Sequence, residues 1–368
     1  MASNLVGCIY QRFGGGDHYH LTPPEDFYMR VPDQVRKSVL FVGIEQDLPE
    51  WEWKGTAYLV TVPPSVFQET TEHRHYSGDE GQQILLATAR HVAEKCEGKD
   101  FALRVNVKDG SLRLIKGHAN QKWWYHPTEK KYVDAAVTIF SPSGLADLDI
   151  SPIPFNMFVD TDAIARLNLG VGDEVFLAGL FTEVTETTRN IPIVRLGSLA
   201  MMPGEKIPFK DGKLIDAYLV EARSIGGLSG SPVFVRQTVA VQGTRPGIWI
   251  NSPQHVPPPD LSVVVNGVGR IYFLGSMIGH WDAPTGLQLP EAVNMGVSPI
   301  VPAHKIGEII RQAELRETMK NIANDASRQK HSNAKEDFAT SRPKEQPFTK
   351  ADFEAALKKV SRKKSDQT

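Results

Sequence analysis

Short runs of Val, Leu and Ile, separated by Gly, Pro and charged residues, make up most of the chain. The first run is SVLFVGIE at residues 38–45, and similar runs recur as far as AVNMGVSPIV near residue 300. Apolar runs of this length, bounded by turn residues, predict β-strands. About a dozen such runs occur and helical patterns are few, so we expect an all-β protein with two six-stranded β-barrels.

Three segments have a helical pattern instead. TARHVAEK predicts a short helical turn after a strand, and DTDAIARLNL has the form of a capped connecting helix. The third, PAHKIGEIIRQAELRETMKNI, opens with Pro and places apolar residues at helical spacing. We expect it to close the folded body.

These patterns predict a leader at 1–36, a folded body at 37–314 and a helical or disordered charged tail at 315–368. Within the body, the first barrel spans about 37–160, the second about 170–302, and a closing helix 302–314. Two polar stretches, 61–82 and 242–266, are expected to be surface loops.

The segment after about residue 324 has too few apolar residues to offset the entropy lost on ordering. Near its end, 349–361 places Phe353, Leu357 and Val360 at helical spacing. That segment is either a short helix that docks a partner or a solvated helix without one.

The charge balance gives no sign of an anionic partner. There are 41 Lys and Arg residues against 43 Asp and Glu, a net charge of -2, so neither nucleic acid nor a membrane surface is expected as a partner. Only Cys8 and Cys96 are present, and the first residues lack the pattern of a signal peptide. No run approaches the ~20 apolar residues of a membrane span. We therefore expect a soluble, cytoplasmic protein without disulfides.

The segment IGGLSGSPVF carries the strongest chemical signal. Ser229 lies between Gly227 and Gly230, and small neighbours allow a tight turn that exposes the hydroxyl. The amides of Gly227 and Ser229 then point to one spot, where a developing oxyanion is stabilised. The alternative is an ordinary Gly-Ser turn between strands.

Two further residues have the positions of a base and its acid. His91 follows the apolar run QILLATA, at the end of a strand, where an imidazole is partly buried yet reaches a cleft. Asp134 interrupts the apolar run KYVDAAVTIF, and a buried carboxylate requires a hydrogen-bond donor. Alternatively, His91 is one of 11 histidines without a role, and Asp134 is an acid at a strand edge.

AxxHV, DAAV and GLSGSP, in that order, resemble the three signature segments of trypsin-like serine peptidases, particularly the bacterial, HtrA-like branch without disulfides. His91 precedes Asp134 by 43 residues, and the order His, Asp, Ser is that of this fold. The resemblance covers about residues 37–314 and lacks a PDZ-like domain. It implies a serine endopeptidase with His91, Asp134 and Ser229 as its triad, acting on a protein or peptide through an acyl-enzyme, without a cofactor.

The resemblance also implies a substrate pocket. Arg223 stands six residues before Ser229, a position at the base of the primary pocket in many relatives, with Ser224 next to it. Gly275 and Ser276, in FLGSMIGHW, correspond to a pocket wall. Arg223 would favour an acidic substrate side chain. If loops shape the pocket instead, small apolar side chains are preferred.

Two other classes of function stay open at this point. The same fold with a misaligned triad would be a silent binding or scaffold module, and an esterase could use the same barrel. A metal site is not expected, although His73 and His75 lie two apart, because no Cys or carboxylate cluster accompanies them. Trp123 and Trp124 are expected to pack beneath a hairpin, with peptide binding as the alternative.

Overall fold

The structure is a computed structural model that describes residues 31–45, 51–67, 82–181, 189–209, 212, 214–222, 226–237, 270–283 and 293–325. Most of the expected leader, the 349–361 segment and the pocket residues Arg223 and Ser224 lie outside the described residues, as does the His73/His75 pair.

Most of the first half of the chain folds into one sheet. Its strands are β1 (Val39–Glu45), β2 (Trp51–Val62), β3 (Gln83–Thr88), β4 (Phe101–Asn106), β5 (Leu112–Gly117), β6 (Trp124–Tyr125), β7 (Ala136–Ile139) and β8 (Ile153–Pro154). The order is β5-β4-β1-β2-β3-β7-β6, antiparallel throughout, and β8 pairs with β2 in parallel.

Side-chain bonds link the segment between β5 and β6 to β7. Gln121 Nε2 donates to Thr138 Oγ1 in β7 at 2.7 Å, and Thr138 Oγ1 donates to the carbonyl of Lys122 at 2.7 Å. No backbone ladder between β5 and β7 is present in the described residues. These bonds accompany the pairing of β6 with β7, and in the described residues no ladder joins the two ends of the first sheet.

The second half forms a closed barrel in the order β10-β13-β18-β15-β14-β9. Its strands, with two small pairs beside it, are β9 (Glu174–Gly179), β10 (Ile193–Met201), β11 (Ile207–Pro208), β12 (Leu214–Ile215), β13 (Tyr218–Glu221), β14 (Pro232–Arg236), β15 (Ile271–Met277), β16 (Asp282–Ala283), β17 (Val293–Asn294) and β18 (Val297–Pro302). The protein is thus mostly β, with one eight-stranded sheet and one closed six-stranded barrel. This arrangement confirms the expected all-β fold class and is consistent with a double β-barrel of the trypsin-like kind.

The helices are short and lie between or after the strands. Four of them are α1 (Asp33–Lys37), α2 (Arg90–Cys96), α3 (Thr161–Leu167) and α4 (Ala303–Arg311), with single 3-10 turns at Pro64–Val66, Leu145–Asp147 and Phe155–Met157. A longer helical segment follows α4 at 313–325. α3 is capped as its sequence suggests, because Asp160 accepts a bond from the amide of Ala163 at 2.7 Å.

The packed body continues beyond residue 314. Residues 313–325 are helical, and Leu315 and Met319 have no exposed surface. Both belong to the hydrophobic cluster of the second barrel. The exact boundaries of body and tail stay a prediction, but this helix packs on the core.

Side chains of the central strand β2 belong to two hydrophobic cores. Ala57 and Leu59 pack into the cluster of the first sheet, whereas Tyr58 and Val60 pack into the cluster of the second barrel. Because successive side chains of a strand point to opposite faces, this one strand forms part of both interiors. β2 therefore belongs to the first sheet and also packs against the second barrel, and the candidate site lies beside it.

Candidate active site

His91 lies in the first turn of helix α2. β3 ends at Thr88, and Ala89, with extended backbone, is the N-cap of the helix. His91 therefore lies three residues after the end of a strand of the first sheet. Its side chain is 36% exposed, so one part of the ring is accessible while the other is bonded.

Asp134 holds His91 at two points. Its Oδ2 lies 2.7 Å from His91 Nδ1, and its Oδ1 accepts the backbone amide of His91 at 2.9 Å. Asp134 lies two residues before β7 and is flanked by Val133 and Ala135, which are almost fully buried. This double contact fixes the ring orientation, and it selects the tautomer that carries its proton on Nδ1.

The environment of Asp134 favours its charged form. Burial acts to raise the pKa of this carboxyl, but the hydrogen bonds and charge of His91, with a smaller effect of Arg90, leave its pKa below the ordinary value. Arg90 Nε lies 3.9 Å from Asp134 Oδ1 and is buried without a hydrogen-bond partner in the described part of the chain. Its cation thus adds to the field that keeps Asp134 ionised.

Ser229 occupies a tight turn before β14. Gly227 and Gly230 both have positive φ, +91° and +86°, which favours glycine at each position. A Cβ added to Gly230 would overlap the carbonyl oxygen of Thr56 and lie 3.0 Å from the amide nitrogen of Ala89. The turn that carries Ser229 is therefore packed directly against the N-cap of the helix that carries His91.

The structure brings the three predicted residues into one region. Of the two hydrogen bonds that a triad requires, the described part of the chain forms the one between Asp134 and His91 but not the one between His91 and Ser229. Between described residues, no hydrogen bond joins the Ser229 hydroxyl to the His91 ring. In the same part of the chain, the amides of Gly227 and Ser229 donate to no protein acceptor. These amides are therefore available to an incoming oxygen, as an oxyanion site requires.

Of the predicted pocket residues, the two that are described lie in β15. Gly275 pairs with Val233 and Pro302, and Ser276 has no exposed surface. The hydroxyl of Ser276 has no hydrogen-bond partner among the described residues, although it lies near the buried hydroxyl of Tyr58. Their role in substrate binding stays a prediction.

Sequence reasoning did not identify two threonines beside the serine turn. Thr56 Oγ1 donates to the carbonyl of Gly227 at 2.8 Å, and Thr88 Oγ1 donates to the carbonyl of Thr56 at 2.7 Å. Both side chains are buried. A signal was present, because each hydroxyl interrupts a run of apolar strand residues, as Asp134 does, and therefore requires a partner.

The other expected features are less informative. Cys96 is a free, buried thiol whose Sγ lies 3.5 Å from the carbonyl of Val92, and burial raises its pKa to about 12.

Within the described ranges, no group of His, Cys, Asp and Glu is arranged to hold a metal ion. Trp123 and Trp124 are both buried, and Trp123 packs on Phe101. In the same ranges, no helix combines the length and apolar character that crossing a membrane requires.

No protein-family model matches the chain, and no curated protein matches it. Among solved structures it is similar to a crystal structure of Deg5, with 14% identity and a TM-score of 0.34, over 56% of this chain and 81% of that one. It is also similar to a serine-to-alanine mutant of Rv3671c from M. tuberculosis H37Rv in an inactive form, with 13% identity and a TM-score of 0.36, over 75% of this chain and 87% of that one. At these values, neither similarity says anything about this chain's activity.

Proposed function

We propose that this chain is a serine endopeptidase in which Ser229 is the nucleophile, His91 the general base and Asp134 the acid that orients it. The observation that carries the proposal is the double contact of Asp134 with the Nδ1 and the amide of His91, beside a glycine-flanked serine turn. Such an arrangement leaves Nε2 as the ring nitrogen that can take a proton.

In the proposed reaction, Ser229 Oγ attacks the peptide carbonyl while His91 Nε2 takes the hydroxyl proton. The imidazolium that forms keeps its Nδ1 proton on Asp134, whose negative charge stabilises it. The tetrahedral oxyanion accepts hydrogen bonds from the amides of Gly227 and Ser229, each worth about 3 kcal/mol in this type of site. His91 then protonates the leaving amine, and water hydrolyses the acyl-enzyme by the same steps in reverse order.

One observation favours a second candidate, the silent binding module. The hydroxyl of Ser229 and the ring of His91 are not hydrogen-bonded in the described residues. A binder would keep this separation, whereas in an enzyme such bonds are often long without substrate and shorten when it is bound.

Labelling with a fluorophosphonate separates the two candidates. We expect wild-type protein to be labelled at Ser229, and Ser229→Ala and His91→Ala not to be labelled. Ser231→Ala is the matched control, since this buried serine lies two positions further in the same turn. No labelling of wild type over a range of pH, with folded protein confirmed by circular dichroism, would contradict the peptidase proposal. Turnover of esters without any turnover of peptides would favour the esterase.

The substrate preference and the location belong to the same proposal. We propose that a small apolar side chain precedes the scissile bond, with an acidic side chain bound by Arg223 as the alternative. A peptide library cleaved by wild type and by Arg223→Ala distinguishes the two. A cytoplasmic site of action is supported by the low cysteine content of the chain and by the free thiol of Cys96.

A further inference from the structure

Thr56 is a buried residue of β2 whose hydroxyl both donates and accepts a hydrogen bond. Its Oγ1 donates to the carbonyl of Gly227 at 2.8 Å and accepts the amide of Leu180 at 2.9 Å. The residue has no exposed surface. The hydroxyl proton is thus used on the Gly227 carbonyl, and the bond accepted from Leu180 holds the hydroxyl oxygen in place for that contact.

The backbone of Thr56 holds the same turn at a second point. Its amide donates to the carbonyl of Ser229 at 2.9 Å. Its own carbonyl accepts the hydroxyl of Thr88 at 2.7 Å and lies against Gly230. A single strand residue therefore bonds the carbonyls at both ends of the segment Gly227 to Ser229.

These two carbonyls control the direction of the amides between which an oxyanion would bind. Torsions at 227 and 228 decide whether the amides of Gly227 and Ser229 converge, and a glycine with φ of +91° has little preference of its own. Fixing the carbonyl of Gly227 and that of Ser229 restricts those torsions. Without the hydroxyl, Thr56 would hold the turn only through its amide bond to the Ser229 carbonyl, and the bond from the Ser231 amide to the Leu228 carbonyl does not fix the Gly227 carbonyl.

We propose that Thr56 is a positioning residue for the reaction, whose hydroxyl holds the Gly227 carbonyl so that the two amides converge on the oxyanion. This inference rests on the proposed peptidase function. It assigns Thr56 no contact with substrate. Its effect should therefore appear in kcat, through the transition state, and not in KM.

The test compares Thr56→Val, which keeps the shape of the side chain without its hydroxyl, with Thr56→Ser, which keeps the hydroxyl. Hydrolysis of a p-nitrophenyl ester gives kcat and KM. We expect kcat of Thr56→Val to fall by about 10- to 100-fold with KM changed by less than about twofold, as for a small displacement of catalytic groups. Thr56→Ser should restore kcat to within about threefold of wild type.

Ser38→Ala is the matched control, because Ser38 is also buried and donates its hydroxyl to a carbonyl, that of Val35, at 2.8 Å. It lies at the start of β1, and its loss should leave kcat unchanged. If Thr56→Val does not fold, Thr56→Ala takes its place, since the smaller side chain leaves no branched group facing the two polar atoms.

Hydrogen exchange of the Leu180 amide gives a readout that does not need activity. It should be faster in Thr56→Val than in wild type and protected again in Thr56→Ser. If Ser229→Ala abolishes hydrolysis while Thr56→Val keeps the wild-type kcat, the positioning role is wrong and the proposed function stands. If wild type shows no serine-dependent hydrolysis, the proposed function fails, and unchanged Leu180 exchange would then also refute the role of the hydroxyl.

Discussion

Gly230 and Gly110 form a natural pair for testing how the serine turn is packed. Their φ angles are nearly equal, +86° and +87°, so an alanine at either position meets a similar penalty for positive φ. An added Cβ at Gly110 would meet nothing within 4 Å, whereas at Gly230 it would overlap the carbonyl oxygen of Thr56 and the hydroxyl of Thr88. The difference between the two alanine variants therefore isolates the packing of the turn.

The magnitude follows from the contacts that must change. Gly110→Ala should lower the free energy of unfolding by about 1 kcal/mol, the cost of left-handed backbone for a residue with a Cβ. Gly230→Ala has this cost and must also move the turn away from Thr56. That movement breaks the bonds that join Thr56 to Ser229 and to Thr88, each worth about 1 kcal/mol. Residual overlap adds about 1 kcal/mol or more, so the total loss is about 4 kcal/mol.

Urea denaturation of the wild type and both variants measures these losses, and fluorophosphonate labelling measures the state of the turn. We expect Gly230→Ala to lose about 3 kcal/mol more than Gly110→Ala, and to lose labelling even at temperatures at which it is folded. Equal losses of stability in the two variants would refute the claim that the turn is packed against β2. Normal labelling of Gly230→Ala would refute its link to the site.

Two further predictions concern the charge of Asp134 and the helix at 313–325. Asp134→Asn should lower labelling and hydrolysis by about 10⁴-fold at neutral pH, as in the well-studied triad, because an amide cannot accept from both the Nδ1 and the amide of His91. Folding lowers the pKa of Asp134, so its contribution to the free energy of unfolding is present above the ordinary value of 3.8 and is lost as the pH falls through the lower pKa of the folded state. Denaturation should therefore show a stability gap between wild type and Asp134→Asn that shrinks below about pH 4, and a gap that widens there would be inconsistent with the lowered pKa. Leu315→Ala and Met319→Ala should each lower the free energy of unfolding by about 2–5 kcal/mol, whereas the control Ile322→Ala, 38% exposed on the same helix, should change it by less than about 1 kcal/mol. Thermal melts of all three variants check this, and equal small effects would mean that the helix does not pack on the body in solution.

Local pattern predicted the parts of the site that depend on neighbours in sequence. The strand that ends before His91, the apolar flanks of Asp134 and the glycines around Ser229 are all visible as short segments. Each expresses a local requirement: a helical turn after a strand, a buried acid that needs a donor, and a turn that needs positive φ. The contact of Asp134 with His91 was inferred from this requirement, and both groups are bonded as it demands.

The role of Thr56 could not be inferred in the same way. Its hydroxyl reaches a carbonyl 171 residues away, so only the packing of the second barrel against β2 creates this contact. From the sequence alone, Thr56 is one polar residue in a predicted strand. The pattern of a strand does not identify which distant residue a given side chain will contact. Similarly, the number of strands in each sheet depends on ladders between distant segments, which is why the first sheet differs from a closed six-stranded barrel.

The end of the packed body is hard to infer from composition alone. The residues after 314 are mostly polar, which is typical of a tail, and the boundary between body and tail stays a prediction. Leu315, Met319 and Ala323 recur every four residues and lie on one helical face, which is buried. A stripe of three apolar residues is enough to dock a helix, even though the mean hydropathy of the segment is low.

The division of β2 between two interiors has a consequence for how the protein folds. If β2 slipped by one residue, Ala57 and Leu59 would exchange places with Tyr58 and Val60, and a small residue would replace a tyrosine in one interior while the other became overfilled. Neither half can form its interior while β2 pairs in the wrong register. The two halves should therefore unfold in one cooperative transition, and neither should be stable when produced without the other.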